Sequence, residues 1–236
     1  MNVFGLIHQY GFWEIVKDGI RFKIYYPLLH MKAALWDHYH NVDTENIVTL
    51  SSLGISEDVG TRYEATPHYE LMTILKSLKI KSNDVFLDVG SGKGRVLLLA
   101  GRFQFRKVIG VDISNDLNKI ALSNVNKMQV KLSCKNYEIV LADASAYKIP
   151  EDVTHVFFFN PLFKEAVCMV LDNLIKSTQS TPRAITCISY NPKFPEEFKR
   201  RGFNIAQELV FKPFSLCESR AIVYELAQNF KREIAS

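Results

Sequence analysis

Apolar runs long enough to cross a bilayer are missing from this sequence, and its N-terminus lacks the basic, apolar, small-residue order of a secretory leader. Neither a spanning helix nor export is expected. Cysteine is scarce: Cys134, Cys168, Cys187 and Cys217 make no C-x-x-C pair and sit mostly within apolar, element-like stretches. They read as free thiols in a reducing, cytoplasmic compartment. Charge of one sign is not concentrated either, since 29 basic and 25 acidic residues give a net +4 that is spread along the chain. Such a balance permits a nucleic-acid or acidic-protein partner and requires neither. Internal repeats and low-complexity tracts are absent, which argues against a repeat architecture. What remains is an ordinary globular composition, 47% hydrophobic and 23% charged over 236 residues, enough for one large domain plus an extension.

One stretch stands out, Val85-Phe86-Leu87-Asp88-Val89-Gly90-Ser91-Gly92-Lys93-Gly94-Arg95-Val96. An apolar strand ends in an acid, turns through three alternating glycines and resumes as apolar helix. Without a Cβ, glycine takes φ > 0 and lets a ligand approach the main chain, so this spacing suggests exposed amides beside a helix N-terminus. The dinucleotide fingerprint G-x-G-x-x-G fails, because the third glycine arrives one residue early, at Gly94, and Arg95 holds its place. A P-loop fails as well, since Lys93 is followed by Gly94 rather than Ser or Thr.

Around that turn the pattern alternates. Residues 4–36 mix aromatic and aliphatic positions with Lys17, Arg21, Lys23 and Lys32, and Pro27 interrupts them, which suggests two amphipathic helices that cap the core. The same basic and aromatic mixture is what a peripheral membrane-surface helix uses. Residues 41–61 read as a connecting arm across the mouth of the cofactor site. Thr66-Pro67 then opens a helix, with threonine as its cap and Leu71, Ile74, Leu75 and Leu78 as one apolar stripe. Strands are expected at 85–89, 107–112, 138–142, 154–159, 184–190, 203–211 and 219–227, with helices at 94–103, 114–128, 164–177 and 195–201. Helices between buried apolar strands demand a parallel sheet covered on both faces, while the last two strands are too close for a crossover and must pair antiparallel. The expected fold is therefore α/β: a doubly wound, mostly parallel seven-stranded sheet with its last strand antiparallel, plus an N-terminal helical cap. Cap and arm fill residues 1–60, the core 61–228 and a short tail 229–236.

Asp88-Val89-Gly90-Ser91-Gly92-Lys93-Gly94 resembles the first motif of class I S-adenosylmethionine (SAM) methyltransferases, and the later motifs of that family fall in order along residues 61–227. The resemblance implies SAM as cofactor. Asp112 closes the strand 107–112 where a doubly wound fold places the acid that grips ribose hydroxyls; alone it reads more commonly as a cap for the helix from Ser114, and the glycine turn favours ribose. Ile113 follows it as a cofactor contact. In the resembling family Asp143, or the amide of Ala144 after it, meets the adenine edge, although Asp143 also reads as a turn cap. In that family the first-motif acid helps arrange the glycine loop and the methionine end of SAM, a part the resemblance gives to Asp88 with Gly90, Ser91, Gly92 and Gly94, although Asp88 reads equally as structural.

The fourth strand delivers Asn160-Pro161-Leu162-Phe163 to the sheet edge where ligands bind. This is similar to the Asp/Asn-Pro-Pro-aromatic motif of amino-directed methyltransferases, with Leu162 in place of the second proline. The resemblance gives Asn160, Pro161 and Phe163 the catalytic part: Asn160 accepts hydrogen bonds from an amine and contacts the cofactor, while Phe163 or Phe159 walls the site. Tyr63-Glu64-Ala65-Thr66 resembles the Tyr-Gly-Glu-Thr segment of non-SET histone-lysine methyltransferases with the glutamate displaced by one, and puts Tyr63 and Thr66 over the methionine part of SAM. A group of uncharacterised bacterial SAM enzymes is closer still, with Tyr-x-x-Thr-Pro, Gly-Ser-Gly-Lys-Gly-Arg and Asn-Pro-Phe.

The methyl acceptor is thus expected to be a protein amine or a small molecule before a nucleic acid, since neither a separate recognition domain nor a concentrated basic stripe is visible. A non-catalytic SAM- or nucleotide-binding module is the rival from another class, because fold alone does not exclude it. Asp37-His38-Tyr39-His40 invites a metal reading, but no carboxylate or cysteine completes a ligand set, and it reads as a helix end or loop. No metal is expected.

Overall fold

Strands that are apolar on both faces need cover on both sides, and the chain supplies it with helices above and below one sheet. The computed structural model describes residues 23–24, 26–45, 48, 64–159, 163–214 and 217–227. Seven strands run β1 (Val85–Val89), β2 (Lys107–Asp112), β3 (Tyr137–Leu141), β4 (His155–Phe159), β5 (Ile185–Tyr190), β6 (Asn204–Phe214) and β7 (Cys217–Leu226). Their order across the sheet is β3-β2-β1-β4-β5-β7-β6. The first five are parallel, and β7 lies antiparallel between β5 and β6. The strand order reverses between β1 and β4, so a crevice opens there beyond the carboxyl ends of the strands.

The helices are α1 (Tyr26–His40), α2 (His68–Ser77), α3 (Arg95–Ala100), α4 (Asn115–Met128), α5 (Lys164–Ser180) and α6 (Pro195–Arg200). Side chains alternate along β4. Phe157 packs into one core with Leu71, Ile74 and Leu75 of α2 and Leu97 of α3, while Val156 and Phe158 join Leu171 and Leu174 of α5 in the other. Phe198 of α6 stacks on Tyr224 of β7, centroids 4.3 Å apart, and closes the second core. His155 opens β4 buried, its ring edge against Phe105, and burial lowers its pKa.

Pro27 lies in the first turn of α1, where a missing N–H is harmless, and the helix runs on to His40. The expected helix before it lies outside the described residues. Thr66 does not cap α2: Pro67 occupies the N-cap position without any side-chain cap. Thr66 is instead buried, and its carbonyl accepts a hydrogen bond from Arg95. At the end of α6, Arg201 forks onto Asp172 of α5 and also reaches Glu197. These bonds hold Glu197 down to about 2, chiefly through Lys164 and Arg201.

No described helix is long and apolar enough to cross a membrane. Phe157 is fully buried at the centre of the sheet, so Phe157→Ala is expected to cost about 3–5 kcal/mol. Urea unfolding would show this as a lower midpoint at unchanged slope.

Candidate active site

After β1 the chain has to reverse tightly and start α3 against the sheet. Gly90, Gly92 and Gly94 do this with φ of 77°, 51° and 82°, left-handed values that favour glycine. Gly94 also has a packing reason, because a Cβ there would stand 3.0 Å from the Ala121 methyl of α4. The loop amides turn inward. Gly90 and Ser91 N–H both reach the Val111 carbonyl at 2.8 and 3.1 Å, and Gly94 N–H reaches the Ser91 carbonyl at 2.9 Å. The expected display of loop amides is therefore corrected: the N–H groups of Gly90 and Ser91 tie the loop to β2, and that of Gly94 closes the loop on itself.

Asp112 completes that tie. One carboxylate oxygen accepts the Gly92 N–H at 2.8 Å and the other the Ser114 N–H at 2.8 Å. Burial raises its pKa, and these two bonds pull it back. The cap of α4 is Ser114 itself, whose Oγ accepts from Leu117 N–H. A carboxylate offers about four lone-pair sites, so Asp112 can accept further donors such as vicinal hydroxyls. Beside it Ile113 and Leu141 expose apolar surface at the strand ends. Asp88 is fully buried behind the loop, one oxygen without a protein partner, and burial with the neighbouring Asp112 pushes its pKa well up. Ser91 Oγ is likewise buried without a partner. Asp143, at the exposed end of β3, binds the N–H and hydroxyl of Ser145 through Oδ1 at 2.8 and 2.7 Å, and so shapes the turn that carries Ala144.

Sequence reasoning missed the cations of the loop. Lys93 and Arg95 are buried, and both reach back about 50 residues to the arm after α1. Lys93 Nζ donates to Asp43 at 2.8 Å and to the Glu45 carbonyl at 2.7 Å, while Arg95 binds Thr44 Oγ1 and the Glu45 carboxylate. The Asp37 carboxylate collects Thr44 and Glu45 N–H groups and the Thr44 hydroxyl, and Asn124 of α4 brackets Asp43 and Lys93 main chain. Asp37-His38-Tyr39-His40 is thus the last turn of α1, with Asp37 gripping the arm. Trp36 packs on His68 at 4.4 Å and docks α1 against α2; burial, then Arg95, lowers His68 to about 3.

At the other side of the crevice, Phe159 ends β4 with its ring edge-on to Tyr190 of β5 at 4.9 Å. Tyr190 donates its hydroxyl to Glu70 of α2, and Ser219 donates to the same oxygen at 3.0 Å. Phe163 stands half-exposed at the N-cap of α5. Asn160, Pro161 and Tyr63 lie outside the described residues. Gly90 to Gly94, Asp88, Asp112, Ile113, Asp143 and Ala144 gather around the carboxyl ends of β1, β2 and β3, and Phe163 follows β4.

A sheet of this order with a glycine turn locked to the second strand's terminal acid defines the class I SAM-dependent methyltransferases. Residues 60–207 match the family described as Histone methylation protein DOT1, and the chain belongs to that family. A protein-lysine N-methyltransferase of Saccharolobus islandicus is 32% identical over 66 residues, 28% of this chain. That stretch spans 41% of the relative's length. An RNA methyltransferase from Salinibacter ruber, solved with S-adenosyl-L-homocysteine, superposes with a TM-score of 0.55 at 16% identity, covering 73% of this chain and 100% of that one. A ribosomal protein L11 methylase from Lactobacillus delbrueckii subsp. bulgaricus gives 0.51 at 13% identity, covering 70% and 80%. These two act on different macromolecules, so the shared fold does not choose an acceptor.

The residues present fit SAM: orphaned buried oxygens on Asp88 and Ser91 flank the loop, Asp112 keeps acceptor capacity, and Ile113 offers an apolar face. Asp112→Ala is expected to weaken SAM affinity by roughly tenfold to a few hundredfold in calorimetry. Gly110 lies in β2 beneath the loop, where an added Cβ would stand 2.7 Å from Ser91 Oγ and 2.9 Å from Ser91 Cβ. Gly110→Ala is therefore expected to lose about 1–3 kcal/mol in denaturant unfolding, and SAM affinity with it.

Proposed function

We propose that the protein transfers the methyl group of SAM to a nitrogen of a protein acceptor, a lysine side chain being the leading candidate. The observation that carries the cofactor half is the Gly92–Asp112 hydrogen bond, which fixes loop and acid as one cradle. In this reading the main chain of Gly90 to Gly94, with Ser91 and Asp88, holds the methionine end. Asp112 takes the ribose hydroxyls, Ile113 flanks the adenine, and Asp143 with the Ala144 amide meets its edge. Tyr63 and Thr66 cover the methionine part.

Family membership, the protein-lysine relative and Asn160-Pro161-Leu162-Phe163 after β4 support a nitrogen acceptor. Asn160 accepts an amine N–H and aims the nitrogen lone pair, Pro161 fixes the turn, and Phe163 excludes water on one side. Bound SAM supplies a methyl group on a sulfonium, a leaving group good enough that the chain needs no nucleophile of its own. The protein's task is alignment, desolvation and stabilisation of positive charge by carbonyls and aromatic faces. Buried thiols at Cys134 and Cys187 accord with a cytoplasmic setting.

Incubating the full chain with methyl-labelled SAM and cell extract split into protein, RNA and small-molecule fractions tests the acceptor. Label is expected in protein, as methyllysine after hydrolysis; label confined to RNA or to small molecules overturns the assignment. Asn160→Ala is expected to cut the turnover rate by about 100-fold or more while SAM affinity holds within about twofold. Loss of both together would contradict its part in aligning the acceptor.

A further inference from the structure

Between α1 and α2 lies a cavity of about 350 Å³, with Leu28, Ala33, Trp36 and Pro67 among its apolar walls. Arg95, the first residue after the glycine turn, stands in its wall. So does Glu70, in the first turn of α2, which is only 3% exposed. Glu70 alone among the described residues belongs both to this wall and to the hydroxyl pair, Tyr190 and Ser219, at the carboxyl edge beside β4. Tyr190 in turn packs on Phe159, the last residue of β4. Arg95 thus ties the cavity wall to the glycine turn, and Glu70 ties it to β5 and β7.

We infer that this cavity receives the acceptor as an unbranched aliphatic ammonium and that Glu70 takes one proton from it, with Tyr190 and Ser219 as positioning residues for the carboxylate. The inference rests on the functional reading above and adds the base which that reading leaves unassigned. An ammonium has no lone pair; transfer of one N–H proton to the Glu70 carboxylate leaves a neutral amine, with its lone pair, and a neutral carboxylic acid. No other bond changes in this step, and Glu70 returns the proton to water after the methylated ammonium departs. Apolar walls suit the methylene stem of such a side chain, and a buried carboxylate suits its charged end.

Other ionisable groups stand on the wall as well. Glu45 is paired with Arg95 and His30, and His68 is held neutral by burial. Glu64 and Lys32 also line the cavity and face the same ligand. Glu70 is set apart from them by the two hydroxyls that fix it.

The test uses the full chain in two assays. In calorimetry, n-butylammonium is expected to bind the wild type, Glu70→Gln to weaken binding about tenfold and Tyr190→Phe to weaken it less, with S-adenosylhomocysteine affinity unchanged in both. In methyl transfer to poly-L-lysine, Glu70→Gln is expected to be slow near neutral pH. It should recover as pH climbs toward the amine's own pKa of about 10.4, where free amine forms without help. Glu70→Asp, which keeps a carboxylate, is expected to restore part of the neutral rate, and it stands in should Glu70→Gln fail to fold. Equal butylammonium binding by wild type and Glu70→Gln, or a uniform rate loss at every pH, overturns the inference. Butylammonium binding through Glu70 by a wild type that transfers no methyl group to any acceptor would sink the functional reading and leave this site standing.

Discussion

The hydrogen bond from Gly92 N–H to the Asp112 carboxylate is the constraint on which the rest of the site depends. It joins the turn after β1 to the end of β2, so the loop's position and the acid's orientation are set by one contact. A charge-assisted bond of this kind is worth about 1.5–3 kcal/mol, more than most single contacts, and here it acts where backbone packing leaves no slack. Gly110 opposite Asp88 in the β1–β2 register, and Gly94 against Ala121, supply the space that lets the loop lie that close. Every other part of the cradle hangs from this join: Asp88 is buried behind it, Ser114 starts α4 beside it, and Asn118 secures the Asp112 carbonyl.

The loop is also tied outward. Lys93 and Arg95 are buried cations, which are costly unless their donors are met, and the arm meets them with Asp43, Thr44 and Glu45. Asp37 holds that arm by its main chain, so the end of α1, the arm and the start of α3 form one connected network. The N-terminal helix is thereby joined to the cofactor loop by buried polar contacts. The same Arg95 stands in the wall of the cavity between α1 and α2.

The fold and the glycine turn were legible in the sequence because they rest on local rules. Buried strands such as Val85–Val89 and His155–Phe159 read as short apolar runs, and the glycine spacing at 90, 92 and 94 allows few conformations. The parallel run of the first strands followed from the helices between them, and the antiparallel ending from the short link between β6 and β7. Contacts across long separations were not legible: Arg95 and Glu45 lie 50 residues apart, and Glu70 and Ser219 lie 149 apart. Thr66 misled for the same reason, since Arg95, not the helix it precedes, decides where its carbonyl points. The amides of Gly90 and Ser91 were read as open to a ligand because their spacing resembles that of an anion nest; the Val111 carbonyl that takes them is remote in sequence. Glu70 left one signal that went unread: an acid beside Leu71 on the buried stripe of α2 needs a polar partner, and only the fold shows that β5 and β7 provide it.

A crystal of the full chain grown with S-adenosylhomocysteine tests the central claim most directly. The account predicts both ribose hydroxyls within about 3 Å of the Asp112 carboxylate, the adenine against Ile113 and the homocysteine along Gly90 to Gly94. Density for the ligand elsewhere, or a Gly90–Gly94 turn that lets go of Asp112 to bind it, would contradict the account.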